Sequence, residues 1–205
     1  MNAAQQILAH TDSLFDVVGV SQLPGGDSLL ILGLESTPER DLDEFERLDG
    51  DFHLYGYKKH VWPKVESIIN FICGKGFSAE AVGKYGYPLK GEVNLKEEAI
   101  RTGLGNRGKS TVVLNLKYGP RLRFAAIKTT VPLEPLANSA LTEEENPVCS
   151  RCSICIDACP VSALDPYHMP DTSICLSNTA KMTKELGRLV PCAVCLNLCP
   201  ATEER

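Results

Sequence analysis

No stretch of this sequence approaches the roughly 20 consecutive apolar residues of a membrane-spanning helix, so no span is expected. The first residues, Met1-Asn2-Ala3-Ala4-Gln5, carry neither the basic nor the apolar region of a secretory signal, and no twin arginine. The expected location is therefore the cytoplasm. A basic surplus is missing too: 21 Lys and Arg stand against 26 Asp and Glu, for a net charge of −5. That balance argues against a broad nucleic-acid-binding face, so nucleic acid is not an expected partner, although a local basic patch is compatible with it. Beyond two sets of cysteines there is no internal repeat, and there is no low-complexity tract. With 205 residues, 43% of them hydrophobic, the chain can still bury a core as one large domain or as a larger and a smaller one.

Eight of the nine cysteines fall between residues 149 and 200. The first run is Cys149-x2-Cys152-x2-Cys155-x3-Cys159-Pro160; the second is Cys175, then Cys192-x2-Cys195-x3-Cys199-Pro200. Spacings of two let one tight loop bring three thiolates onto three irons of a [4Fe–4S] cube. The cysteine that follows after three more residues and precedes proline leaves that loop and ligates the other cluster. The pattern therefore predicts one cluster on Cys149, Cys152, Cys155 and Cys199, and a second on Cys159, Cys175, Cys192 and Cys195. A disulfide framework does not suit an odd cysteine count without a secretory signal. Zinc held by four thiolates would fit many foursomes among these residues, but it gives no reason for a run with three ligands in seven residues and an exported fourth. Cys73, in the apolar stretch Ile68–Cys73, is expected to be an ordinary buried thiol.

Ahead of the cysteines, patterns of strand and helix length alternate. Asp27–Leu34 reads as a buried strand of branched residues opened by the turn Pro24-Gly25-Gly26. Pro38–Leu48 reads as a helix, with proline near its start, acids early and Leu42, Phe45 and Leu48 at helical spacing. His60–Cys73 reads as a second helix with Val61, Val65, Ile68, Ile69 and Ile72 on one face. Asn94–Thr102 reads as a third, capped by Asn94, with Glu97 placed for a capping box and Gly103 ending it. Thr111–Lys117 and Arg121–Thr130 read as strands joined in a hairpin by Tyr118-Gly119-Pro120. Pro132–Pro147, rich in proline and acids, reads as a linker.

Gly103–Ser110 (GLGNRGKS) satisfies both GxxxxGK[ST] and GxGxxG, yet neither phosphate-binding pattern is in its working context. Both need a strand to enter the loop and a helix to leave it, so that the phosphate sits on the helix N-terminus. Here a helix enters and a β-branched strand leaves, and no acidic residue closing an apolar strand follows to hold magnesium. The glycines are expected to serve as a helix stop and a close backbone approach, either to a neighbouring element or to a flat ligand.

The order of GLGNRGKS, then Leu116–Pro135 (LKYGPRLRFAAIKTTVPLEP), then the two cysteine runs resembles the family that includes epoxyqueuosine reductase and the corrinoid reductive dehalogenases. The resemblance spans about residues 84 to 200, and more loosely reaches back to about residue 27. It implies an α+β architecture: residues 1–140 as a truncated, nitroreductase-like (corrinoid-reductase-like) α/β domain, and residues 141–205 as a bacterial-ferredoxin-like domain with two [4Fe–4S] clusters. It also implies a corrinoid site, with cobalamin lying against Gly103, Gly105, Lys109 and Arg121 and with Arg123 offering further charge to its phosphate. One departure is plain. Counting back from GLG, Leu89 stands where epoxyqueuosine reductases carry their proton-donating aspartate, and Tyr55, Tyr57, His60, Tyr85 and Tyr87 are the other candidate donors. Two functions follow. The chain is an electron-transfer protein of an anaerobic or corrinoid-linked reductive pathway, serving a redox partner or corrinoid protein; or it is itself a cobalamin-dependent reductase with the clusters as internal donors.

Overall fold

The computed structural model describes residues 2–48, 51–82, 93–135, 146–186 and 192–202. Its centre is a four-stranded antiparallel sheet in the order β1 (Val17–Gln22), β2 (Ser28–Glu35), β8 (Leu122–Thr129), β5 (Ala79–Val82). Strand β2 is apolar almost throughout because both of its faces are covered. Leu30, Leu32 and Leu34 join one core, while Leu29 and Ile31 join the other, as a period of two requires. β8 divides in the same way, with Ala125 and Ile127 on the first side and Leu122, Phe124 and Ala126 on the second.

The first core is closed by α1 (Ala3–Asp12) and α3 (Trp62–Gly74), which contribute Ile7, Val65, Ile68 and Ile72. Asn2 and Gln5 start α1 with reciprocal side chain–backbone bonds of 2.9 and 3.0 Å. α2 (Tyr55–His60) precedes α3, so the expected helix over His60–Cys73 is found with its start shifted by a break at Val61. Cys73 is exposed, contrary to expectation. It follows Ile72 by one residue, about 100° around the helix, and so turns off the buried stripe. The second core is closed by α4 (Leu95–Arg101) and by the segment after it, with Ala99, Ile100, Leu104 and Val113. Asn94 Oδ1 caps α4 by accepting from the Glu97 amide at 3.3 Å. The Glu97 carboxylate is paired with Arg107, so the expected capping box is replaced by an ion pair.

Two sequence expectations fail. Pro38–Leu48 is not a helix: Thr37 and Arg40 form a turn, and β3 (Phe45–Leu48) pairs with β4 (Asp51–Leu54). Side chains there bond to the local backbone instead of leaving it to a helix. Ser36 Oγ accepts from Leu42 N at 3.0 Å, Asp41 Oδ1 accepts from Asp43 N at 2.9 Å, and Arg40 donates to the Glu35 carbonyl at 2.9 Å. The Thr111–Thr130 hairpin is also absent. β7 is only Val113–Leu114 and pairs with β6 (Asn106–Arg107), while β8 inserts between β2 and β5. Asn115 ends β7 by accepting from the amides of Lys117 and Tyr118 at 2.8 and 3.0 Å. The C-terminal part carries α5 (Ile154–Asp157), α6 (Thr172–Leu186) and α7 (Val194–Asn197). Of the Pro132–Pro147 stretch, residues 136–145 lie outside the described residues, as do Leu89, Tyr85 and Tyr87.

Candidate metal centre

The short helices α5 and α7 pack on one another, and each carries one cysteine of its run, Cys155 and Cys195. Around them the eight thiols gather in two groups. Cys149, Cys152, Cys155 and Cys199 line one open-mouthed cavity, together with Lys109, Ser110, Leu114, Val148 and Pro200. Burial pushes the Cys155 thiol up, and Cys149, Cys152 and Cys199 beside it push in the same direction. The second group is Cys159, Cys175, Cys192 and Cys195. Burial pushes the Cys195 thiol up to about 11, with Cys175 and Cys192 adding to it and then Cys155 and Cys159. Cys155 thus acts on Cys195, and the two groups are neighbours.

Every strong donor in the first cavity is a thiol, and the rest of its wall is mostly apolar. Four thiolates so placed repel one another and are partly buried, so they call for a compensating cation. Soft sulfur donors select zinc, copper(I) or iron–sulfur clusters. Among the described residues, no three His, Cys, Asp or Glu side chains are drawn close enough together for a single ion. The first foursome lines a cavity instead of converging on a point. The donor set fits a cluster.

Sulfurs of both groups also accept hydrogen bonds from outside the groups. The Lys109 amide donates to Cys149 Sγ at 3.5 Å, the Ala163 amide to Cys159 Sγ at 3.3 Å, and Asn178 Nδ2 to Cys192 Sγ at 3.2 Å. Asn178 and its neighbour Thr179, whose Oγ1 accepts from the Cys192 amide at 3.2 Å, were not singled out by motif. Their signal was positional, since Asn178 lies three residues after Cys175 on α6 and shares its face. Lys96 was also missed. Burial lowers its pKa, with Arg123 and Arg107 acting in the same direction and the Cys195 thiol opposing them.

The glycine loop is engaged with protein. A Cβ on Gly105 would lie 2.5 Å from the Leu114 carbonyl oxygen, and one on Gly108 would lie 2.9 Å from the Leu114 side chain. Gly103, at φ 76°, terminates α4. The close approach is therefore to β7, and Leu114 in turn packs on Cys149 and Cys199. The Lys109 carbonyl accepts from the Tyr167 amide at 3.1 Å, so both backbone groups of Lys109 face the C-terminal part. Arg121 donates to Glu35 Oε1 at 2.9 Å, and Arg123 grips the Asp43 carboxylate at 2.7 and 2.5 Å. The four residues expected against cobalamin thus have protein partners. Of the candidate proton donors, Tyr57 is buried and donates to the Phe124 carbonyl, a structural role. Burial lowers the His60 pKa, with Lys59 and Arg40 adding to the effect.

Comparison with solved structures gives the same overall architecture. An epoxyqueuosine reductase with a tRNA-Tyr epoxyqueuosine-modified stem loop matches with a TM-score of 0.72 at 17% identity, over 99% of this chain and 67% of that one. A reductive dehalogenase, from work on the mechanism of B12-dependent dehalogenation, matches with a TM-score of 0.66 at 16% identity, over 95% and 31%. The fold is that of a mixed α/β protein with the architecture of these solved structures. In sequence, the epoxyqueuosine reductase of Leadbetterella byssophila is 31% identical over 198 residues, covering 86% of this chain and 59% of that one. In sequence and fold the chain is similar to the epoxyqueuosine reductases and the reductive dehalogenases. It spans 58–59% of the length of the curated relatives that match along most of it. No protein-family model matches. Among the described residues, no helix is long and apolar enough to cross a membrane. One solved neighbour of this fold holds an RNA stem loop, at variance with the expectation, drawn from net charge, that nucleic acid is an unlikely partner.

Proposed function

We propose that this chain supplies the electron path of a reductase, carrying single electrons through two [4Fe–4S] clusters in the cytoplasm. Cys149, Cys152, Cys155 and Cys199 hold one cluster, and Cys159, Cys175, Cys192 and Cys195 the other. The observation that carries this reading is the pairing of Cys199 with the first run in one cavity, since a simple in-line binding order would have kept it with Cys192 and Cys195. The clusters supply one-electron carriers of tunable potential. The protein's own residues orient the sulfurs, offset their charge and exclude water from the first group through Leu114 and Pro200. Residues 1–140 and 141–205 act as two units, the first seating the second through Lys109 and Leu114.

The test is anaerobic purification with iron and sulfide analysis of the wild type, Cys199→Ser and Cys175→Ser. About eight irons are expected in the wild type. Each variant is expected to lose one cluster, with paramagnetic signatures showing a different survivor in each case. Zinc in place of iron, or loss of the same cluster in both variants, defeats the proposal.

A second reading adds cobalamin to the N-terminal unit and makes the protein a complete reductase. It is favoured by the reductive dehalogenase neighbour, and it admits a small-molecule or an RNA-borne substrate given the tRNA-bound neighbour. Titration of the cluster-loaded protein with hydroxocobalamin decides it. Binding tighter than about 10 μM, worth roughly 7 kcal/mol, supports the reading, and no binding at millimolar ligand removes it.

A further inference from the structure

We propose that Asn178 sets the reduction potential of the second cluster by donating a side-chain hydrogen bond to the Cys192 sulfur. The inference rests on the two-cluster reading and concerns a residue outside the ligand sets. Asn178 is 6% exposed, so its amide has little access to solvent. Its Nδ2 lies 3.2 Å from Cys192 Sγ and 3.4 Å from Met182 Sδ. A ligating thiolate and a thioether can only accept, so the amide must present its nitrogen to them. Cys175, Asn178 and Met182 recur at intervals of three and four on α6, which puts a ligand, a donor and a soft apolar cover on one stripe facing the second group.

The electrostatics fix the sign. One-electron reduction adds one negative charge to the cluster and its thiolates, with no proton taken up. The electron comes from the one-electron donor used to poise the titration, a reduced viologen. A hydrogen bond aimed at a ligand sulfur stabilises the more negative state more than the oxidised one, so it raises the potential. The first cluster has a different arrangement. The sulfur bond to Cys149 comes from the Lys109 backbone and survives any side-chain change there. The second group thus has, in Asn178, a side-chain donor to a ligand sulfur that a single substitution removes.

The experiment is an anaerobic redox titration of the full chain, with both clusters followed by their paramagnetic signatures, for the wild type, Asn178→Leu and Thr179→Val. In Asn178→Leu, iron is expected to stay near eight. The reduced-to-oxidised ratio of one cluster at fixed potential should fall about tenfold, a downward shift of about 59 mV for a one-electron couple, while the other cluster does not move. Thr179→Val removes the anchor of the Cys192 amide but no bond to sulfur, so both potentials should hold. Unmoved potentials in Asn178→Leu overturn the inference, as does an equal shift in Thr179→Val, which would make the role one of positioning the loop. Should Asn178→Leu lose iron, Asn178→Ser carries the same expectation, because serine is too short to span to the sulfur. Iron loss in both variants means a structural role and also overturns it. A wild type without eight irons would instead sink the two-cluster reading before any variant is compared.

Discussion

Replacing Gly105 by alanine separates a glycine kept for protein packing from one kept for a flat ligand. The new Cβ would sit 2.5 Å from the Leu114 carbonyl oxygen, 2.9 Å from its carbonyl carbon and 2.8 Å from Val113 Cγ1. Two of these are backbone atoms of β7, paired with β6 in the register Asn106↔Leu114 and Arg107↔Val113. They cannot swing aside as a side-chain tip would, so the pair must open. Overpacking of this kind costs about 1–3 kcal/mol. At roughly 2–4 °C per kcal/mol for a chain of this size, Tm should fall by about 2–12 °C. Leu114 packs on Cys149 and Cys199, so iron of the first cluster should be lost with the register. Gly74→Ala is the control. Nothing lies within 4 Å of its added Cβ, at the end of α3, and its Tm should hold or rise slightly. Anaerobic thermal melts followed by circular dichroism, with iron analysis, read both effects without any ligand present. If Gly105→Ala melts with the wild type and keeps its iron, the close approach to β7 is not a constraint and the reasoning is wrong.

Lys109→Ala should leave ATP and GTP binding unchanged, because α4 enters the loop, β7 leaves it and the Lys109 amide is directed at Cys149; calorimetry showing micromolar nucleotide affinity that this variant abolishes would refute it. Lys96 has a folded pKa below its ordinary 10.5, so the unfolded chain binds more protons in the window ending there and stability rises with pH across it. Denaturant melts of Lys96→Met should accordingly show a more stable protein at pH 8, with the advantage shrinking by pH 10.5; a constant or growing advantage contradicts the burial argument. Removing the clusters by chelation and oxidation should expose residues from about 147 onward to limited proteolysis while the sheet core resists, since so few large side chains there are buried. Equal cutting in both halves would count against two units.

The order and spacing of the cysteines pointed to the candidate metal centre, and to Cys199 beside Cys149, Cys152 and Cys155 where the fold places it, because tight loops leave a CxxCxxC run few geometries. β2 was equally legible, since a strand covered on both faces needs an unbroken apolar run, and the capped α4 could be read from Asn94 and Gly103. Pairing and local competition were not legible. Whether Leu122–Thr129 joined its neighbour in sequence or lay between β2 and β5 depended on which partner buried both of its faces, a long-range choice absent from any local pattern. Pro38–Leu48 had helical spacing, but Ser36, Arg40 and Asp41 bonded to nearby backbone, and Leu42 was taken into the sheet core. The loop glycines announced a close approach without naming the other party. Only the folded chain placed Leu114 there, and only the fold brought Asn178 to Cys192, because hydrogen bonds between residues distant in sequence exist once packing has set the distance.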